Sequence, residues 1–540
     1  MNKKYKLKCT YDNYYNKVLG GWLGKTIGGT LGAPYEGQKE MLNLAFYDPV
    51  PQGSAPNDDL DLQLVWLDAL QKHGLDLDAN TLAEKWLAHI KYPYDEYGVA
   101  IANLKRGLTP PISGFYNNPF HDCMGAPIRS EIWAFISPGR PIQAMKYAYQ
   151  DAIVDHAYEG VWGEVFLAVI ESMAFVESKA EKLIEYGLAA IPEDCRVARG
   201  IKDTIKWFQQ KLPWQETRER ILQDHGHHNF TDCPQNIAFI ILGWLYGEGD
   251  FEKAITAAVN CGYDTDCTGA TLGAILGVIY GADGIPSKWL EPIGDEIVTG
   301  GIEGIRPPAT VSELAKVTCQ LGKLEDDIST LEGIRAEAKL LAQKYLPTKA
   351  YSPGAVVDYH DHPVWTGLAK DITIHGYFGA NTLNIPLLPG RWWQLETTEE
   401  NSSWLTVDGN LLLDKIAERK FRLGTWLWFE KEQEAILLVD VDGQVKVKVN
   451  KKELLSYHQH EKPLPAPHRA YSWSEEKVVW KRGWNKVEIE ISRCCADCAQ
   501  NGWLTVADLD FHLLDLRFPE SAEQLVALDK EDESIWEVAK

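Results

Sequence analysis

Asn260-Cys261-Gly262-Tyr263-Asp264-Thr265-Asp266-Cys267-Thr268 leads directly into glycines at every fourth position, Gly269, Gly273, Gly277 and Gly281. A second ladder of the same spacing, Gly20, Gly24, Gly28 and Gly32, stands near the amino terminus. On a helix, a four-residue step keeps each ladder on one slowly drifting face. Each glycine in a helix interior costs up to about 1 kcal/mol against alanine, so these ladders are tolerable only where close packing returns the loss. Lys25 inside the first ladder and the shortness of the second argue against membrane-dimer helices. The ladders predict tightly nested, glycine-lined helices.

Outward from the ladders the pattern is helical from about residue 13 to 345, most plainly at 59–70, 162–176, 236–246, 254–260 and 311–345, where apolar residues recur at three- and four-residue steps. Pro347, Pro353, Gly354 and Pro363 end that period. Beyond them the period becomes two. Val445, Val447 and Val449 alternate with Lys446 and Lys448 just past Asp442-Gly443, which predicts a hairpin, and further runs at 424–429, 435–441, 485–491 and 503–514 extend the pattern. The chain is therefore expected to be multidomain: an all-α catalytic domain at 10–346, a linker at 347–365, a jelly-roll-like β-sandwich at 366–518 and an acidic tail at 519–540. The tryptophans of the second domain are expected mostly in the sandwich core, with a minority available to stack on sugar.

Over 540 residues, 54 Lys and Arg against 77 Asp and Glu give a net charge of −23, which repels phosphate backbones and anionic membranes. Nucleic acid and membrane are excluded as principal partners. The ten cysteines are scattered and read as reduced thiols. The basic start, Lys3 to Lys8, meets no apolar core of a signal peptide, so the expected location is the cytoplasm.

Asp264 and Asp266 precede the second ladder, and Asn57-Asp58-Asp59 precede the periodic run at 60–70. Helix capping explains either pair taken alone. Adjacent residues at a helix start point about 100° apart, so Asp58 and Asp59 can bracket a pocket holding more than one cation. If the two clusters meet, four carboxylates repel and protonate unless divalent cations lie between them. All-oxygen ligands without histidine favour Mg²⁺, Mn²⁺ or Ca²⁺ over Zn²⁺.

Gly24-Lys25-Thr26-Ile27-Gly28-Gly29-Thr30-Leu31-Gly32-Ala33-Pro34-Tyr35-Glu36, Asn57-Asp58-Asp59 and Gly262-Tyr263-Asp264-Thr265-Asp266-Cys267-Thr268-Gly269-Ala270 resemble, in order, the first-helix, Thr-Asp-Asp and Gly-Gly-Asp-Thr-Asp-Thr motifs of the ADP-ribosylglycohydrolases. Gly125-Ala126-Pro127-Ile128-Arg129 is similar to the family's middle loop, and Asp155-His156 to its Thr-His. The resemblance covers about residues 13 to 300 and is specific at its two ends. It implies an all-α domain with a two-Mg²⁺ centre held by Asp58, Asp59, Asp264 and Asp266, with the Asn57 amide as a further oxygen ligand. It also implies a catalytic set of Glu36, Asp59 and Asp264, and Gly125, Ala126, His156 and Tyr263 on the substrate side. The implied reaction is hydrolysis of the N- or O-glycosidic bond of an ADP-ribosyl or related ribosyl group, protein-linked or on a small molecule.

The sequence departs from the family's pattern at Gly29 (for Asp), Asn57 (for Thr), Tyr263 (for Gly) and Cys267 (for Thr or Ser). These changes leave two other functions open: a glycosidase on another sugar or nucleoside conjugate with the sandwich gripping saccharide, and a non-catalytic ligand-binding protein of the same fold. His156 alone is more often structural than a ligand. Asp224 to His228 reads as a surface loop and the Cys494 to Cys498 pair as no redox motif.

Overall fold

A computed structural model describes residues 10–345 apart from 93–94, 106, 116–117, 119, 228 and 326–329, and beyond them chiefly 420–441, 443–459 and 475–493 with the shorter strands named below. The chain divides into two compact units, Met1–Tyr92 with Thr109–Ala355, and Pro93–Leu108 with Val356–Lys540.

The first ladder lies in the helix Tyr11–Gly32, which starts where the Thr10 hydroxyl accepts a 3.3 Å hydrogen bond from the Asn13 N–H. The second lies in Thr265–Tyr280, buried from Thr265 through Val278, with its last member, Gly281 (φ 72°), as the cap just beyond the helix. The two ladders face each other: Gly20 meets Gly277, Gly24 meets Gly273, Gly28 meets Gly269, and Gly32 meets Thr265 and Asp266, so the helices run antiparallel. A Cβ on Gly24 or Gly28 would overlap the carbonyl of the glycine opposite. Trp22, Ile27 and Leu31 from one helix, and Leu272, Ile275 and Leu276 from the other, bury their side chains beside the contact. The helices Glu159–Ala174 and Cys233–Tyr246 are buried almost end to end, as apolar character all round a helix requires.

The expected helix at 311–345 is two helices, Val311–Leu321 and Leu331–Tyr345. The chain leaves helical geometry at Gly322 (φ −68°, ψ 145°), where the Tyr14 hydroxyl fills the space a Cβ would need. Helical periodicity on both sides concealed that break. Among the described residues no helix is long and apolar enough to cross a membrane.

The second region is antiparallel strands in two main sheets, with a further pair Ile374–His375 and Thr382–Leu383. The larger runs in the order Ser403–Thr406, Trp392–Thr397, Lys420–Phe429, Gly483–Ser492, Gly443–Val449, Lys452–Gln459. The smaller runs Glu475–Trp480, Gln433–Val441, Asn501–Ala507, Asn410–Leu412. Leu423, Val447 and Ile489 from one sheet join Leu437, Val439 and Val506 from the other in a single apolar core. Val445, Val447 and Val449 point inward, as the period of two predicts.

The expected hairpin at Asp442-Gly443 falls partly outside the described residues, at Asp442, and the flanking strands do not pair with each other: Gln433–Val441 and Gly443–Val449 belong to different sheets. The reversal comes after Val449, where Asn450 (φ 49°) and Lys451 (φ 70°) supply the left-handed pair of a tight turn into Lys452–Gln459. The linker 347–365 and Cys494 to Cys498 lie outside the described residues. The described cysteines Cys123, Cys195, Cys233, Cys261, Cys267 and Cys319 are all free thiols.

Alanine for glycine inside a helix ordinarily stabilises by up to about 1 kcal/mol. At Gly28 the sign reverses, because the added methyl meets backbone that cannot yield. We expect Gly28→Ala to lose at least about 3 kcal/mol of unfolding free energy in urea titration; a neutral or stabilising effect would refute the ladder contact.

Candidate metal centre

The antiparallel contact sets the end of the first ladder helix beside the start of the second, and the Thr265 hydroxyl seals the junction by donating to the Gly32 carbonyl at 2.8 Å. After Gly32 the chain makes one tight turn, Ala33–Tyr35, and exposes Glu36. Two backbone bonds tie this loop to the turn before the second ladder: Gly37 N–H donates to the Tyr263 carbonyl at 2.9 Å, and Tyr263 N–H to the Gln38 carbonyl at 2.6 Å. Gly262 (φ 74°) and Tyr263 (φ 66°) both take left-handed backbone to make that turn. The result brings carboxylate oxygens of Glu36, Asp264 and Asp266 within 4.8 Å of one another.

Asp58 and Asp59 arrive on the first turn of the helix Asp58–His73. The Asn57 side-chain oxygen, expected as a further ligand, instead accepts from the Asp59 N–H at 2.7 Å, so Asn57 serves as the helix cap. Asp264 also stands at a helix cap position, yet its side chain makes no capping bond. Asp59, Asp266 and Cys267 bring ligand atoms within 4.8 Å of each other, so Asp266 belongs to both groups. Asp58 lies close enough to repel both Asp59 and Asp266.

Asp59 and Asp264 are 1% exposed and Asp266 6%. Burial raises all three above the ordinary carboxylate range, Asp59 and Asp266 to about 7. Behind burial, Asp266 feels Asp59 and then Asp58, and Asp264 feels Asp266 and then Glu36. Lys25 pulls Asp59 in the opposite direction. Among the described residues, both oxygens of Asp264 and Asp266 Oδ1 are buried without a hydrogen-bond partner, while Asp59 Oδ2, which also lacks one, has the Lys25 ammonium 3.7 Å away. Buried, orphaned, mutually repelling oxygens suit a hard divalent cation. Cys267 offers a soft sulfur to that group; burial, then Asp264, Asp59 and Asp266, pushes its thiol well up, and Sγ–H faces Asp59 Oδ1 at 3.7 Å as a donor.

Residues 10–323 match the family model described as ADP-ribosylglycohydrolase. The chain belongs to the ADP-ribosylglycohydrolase family. A curated relative, the ADP-ribosyl-(dinitrogen reductase) glycohydrolase of Rhodospirillum rubrum, is 31% identical over 86 residues, which span 15% of this chain and 29% of the relative. The match thus covers less than a third of that protein's length. An ADP-ribosylglycohydrolase-related protein complex overlays with a TM-score of 0.42 at 19% identity, covering 57% of this chain and 98% of that one. The β-glucosidase of Kluyveromyces marxianus in complex with glucose overlays at 0.17 and 15% identity, covering 26% of this chain and 18% of that one.

The family's middle loop is held from below by Arg129, fully buried, which donates to the Gly125 carbonyl at 2.8 Å, to Asp151 at 2.9 Å and through two nitrogens to Asp155. His156 is fully buried too: its Nε2 accepts from the Ala126 N–H at 3.3 Å and its Nδ1 lies 3.0 Å from Asp155. It supports the Gly125–Ala126 loop and does not face solvent. Tyr263 is half-buried, its ring against Phe239 and beside the Arg218 guanidinium. A cavity of about 1020 Å³, lined by Ile184, Leu188, Phe208 and Leu245 among others, shares no residue with the carboxylate cluster. Sequence reasoning missed the polar network of Lys25, Gln63 and Glu131 behind Asp59; its one signal was a lysine in the middle of a buried glycine ladder.

A carboxyl group whose value is raised on folding binds more protons in the folded state, so its contribution to stability falls as pH rises from about 4 through 7 and stays lost above. Asp266→Asn removes one such group. At pH 8 with chelator present, we expect the variant to exceed the parent's unfolding free energy by more than about 1 kcal/mol. The rise in melting temperature that Mg²⁺ or Mn²⁺ gives the parent is expected to vanish in the variant. Calorimetry on both proteins, with and without cation, decides the matter.

Proposed function

We propose that this chain is a metal-dependent glycohydrolase that cleaves the N- or O-glycosidic bond of an ADP-ribosyl or related ribosyl group, carried by a protein or a small molecule. The supporting observation is the convergence of three buried aspartates, two of them with oxygens that have no hydrogen-bond partner and no cationic neighbour, with one exposed glutamate, in a chain of this family. Asp58, Asp59, Asp264 and Asp266 are the residues that would hold Mg²⁺, two ions in the scheme the resemblance implies. A divalent cation supplies positive charge that orients a sugar's vicinal hydroxyls and acidifies water.

The chain's own residues account for the remainder. Glu36 is the exposed member of its ligand group, while Asp264 and Asp266 are buried, so it is the carboxylate of that group that can meet bulk substrate and water. In hydrolysis, a water oxygen bonds to the anomeric carbon, the bond to the leaving nitrogen or oxygen breaks, and the leaving group ends protonated. Glu36 is placed to accept the proton that water gives up. The paired backbone bonds from Gly37 and Tyr263 keep that carboxylate over the aspartates. The loop at Gly125 and Ala126 is buried and fixed by Arg129 and His156.

The reading is tested by release of ADP-ribose from peptides modified on arginine or serine. Release is expected to stop with chelator and resume with Mg²⁺ or Mn²⁺. Glu36→Gln is expected to lower kcat at least about 100-fold, with helical content unchanged. A parent protein that stays inactive on ribosyl substrates in the presence of cation would overturn the proposal.

A further inference from the structure

Lys25 sits between Gly24 and Gly28 on the ladder helix, 2% exposed, with its ammonium deep in the fold. Such a group must spend its three N–H bonds on fixed partners. Two are evident: Nζ donates to the Ile128 carbonyl at 2.7 Å and to Glu131 Oε1 at 2.9 Å. The third neighbour is Asp59 Oδ2, at 3.7 Å.

This arrangement is braced on both sides. Gln63 Nε2 donates to Glu131 Oε2 at 2.8 Å and to Asp59's own carbonyl at 2.8 Å, and Gln63 Oε1 accepts from the Ile132 N–H at 2.8 Å. Glu131 therefore cannot swing away from Lys25, and the backbone of Asp59 is held in the same frame. The two oxygens of Asp59 consequently face different groups: Oδ2 the ammonium, Oδ1 the Cys267 thiol beside Asp266.

We propose that Lys25 is a positioning residue that claims Asp59 Oδ2 and leaves Asp59 to offer a single oxygen, Oδ1, to a cation shared with Asp266. The inference rests on the metal centre of the proposed function and adds to it the orientation of one ligand. Groups behind a ligand that fix its direction commonly govern metal affinity as strongly as the chemistry of the ligand allows. Glu131, at hydrogen-bond distance, offsets part of the ammonium's charge, although Lys25 still acts on Asp59 more strongly than Glu131 does.

That pairing supplies the test. Lys25→Met combined with Glu131→Gln removes one charge of each sign and leaves the net charge of the site unchanged, so a change in cation affinity that comes with a change in ligand field reports orientation. Mn²⁺ alone is the probe, its affinity read by isothermal titration and its ligand field by electron paramagnetic resonance of the bound ion. The double variant is expected to bind Mn²⁺ about 10- to 100-fold more weakly than the parent, with an altered line shape. Glu131→Gln alone, which keeps the ammonium on Asp59, is expected to retain the parental line shape. Should circular dichroism show the double variant unfolded, Lys25→Gln with Glu131→Gln carries the same expectation through a shorter side chain that cannot reach Asp59 Oδ2. Unchanged or tighter binding with a parental line shape in the double variant would overturn the role of Lys25 while leaving the metal centre standing. Failure of the parent to bind Mn²⁺ would overturn both.

Discussion

The backbone-to-backbone contact of two antiparallel glycine ladders is the constraint from which the site follows. Helices separated by ordinary side chains would leave the Gly32 end of one and the Thr265 start of the other several ångströms farther apart. Here the carbonyl of Gly32 accepts directly from the Thr265 hydroxyl. The turn carrying Glu36 is thereby within backbone hydrogen-bonding reach of the turn carrying Asp264. Residues more than 200 positions apart in the chain meet because nothing larger than hydrogen stands between the helices.

This fold satisfies buried charges carefully in other places, which makes its exceptions informative. Arg129 is surrounded by Asp151, Asp155 and the Gly125 carbonyl, and Trp133 Nε1 occupies the remaining Asp151 oxygen at 2.8 Å. Lys25 and Glu131 pair with the same economy. Against that background Asp264 keeps two oxygens without partners, beside further unpartnered oxygens of Asp266 and Asp59. Glu164 also has both oxygens unpartnered, and burial pushes it well above the ordinary range, with Asp151 adding to the rise. What separates the two cases is company: Asp264 shares its space with Asp266 and Glu36, and one proton cannot neutralise three carboxylates.

Much of this was legible in the sequence, for identifiable reasons. Glycine at a four-residue step has a cost that only close packing offsets, so the ladders announced their own contact. Asp pairs at helix starts announced carboxylates at the ends of those helices. Less local facts did not show. The periodicity of 311–345 gave no hint that the chain leaves the helix at Gly322, where the side chain packed against the backbone is that of Tyr14, nearly the whole helical region away. Asp442-Gly443 has turn chemistry whether the chain folds back or crosses to another sheet, and only the pairing partners distinguish the two. The functions of Gln63 and Glu131 depend on their convergence upon one lysine, which no spacing rule encodes.

Cys267 illustrates how a departure from a family pattern can preserve a physical role. The sequence places a soft sulfur where the resembling motif has Thr or Ser, which as a ligand would be a poor substitute beside hard oxygens. Burial and three aspartates push the thiol up, and its Sγ lies where it can donate to Asp59 Oδ1. A hydroxyl at the same position would donate to the same Asp59 oxygen, at about 2.7 Å instead of the 3.7 Å that sulfur requires. The substitution therefore weakens a hydrogen bond on Oδ1 without moving the charge of the site. Asp59 is left steered more by the ammonium on its other oxygen than by the group beside it.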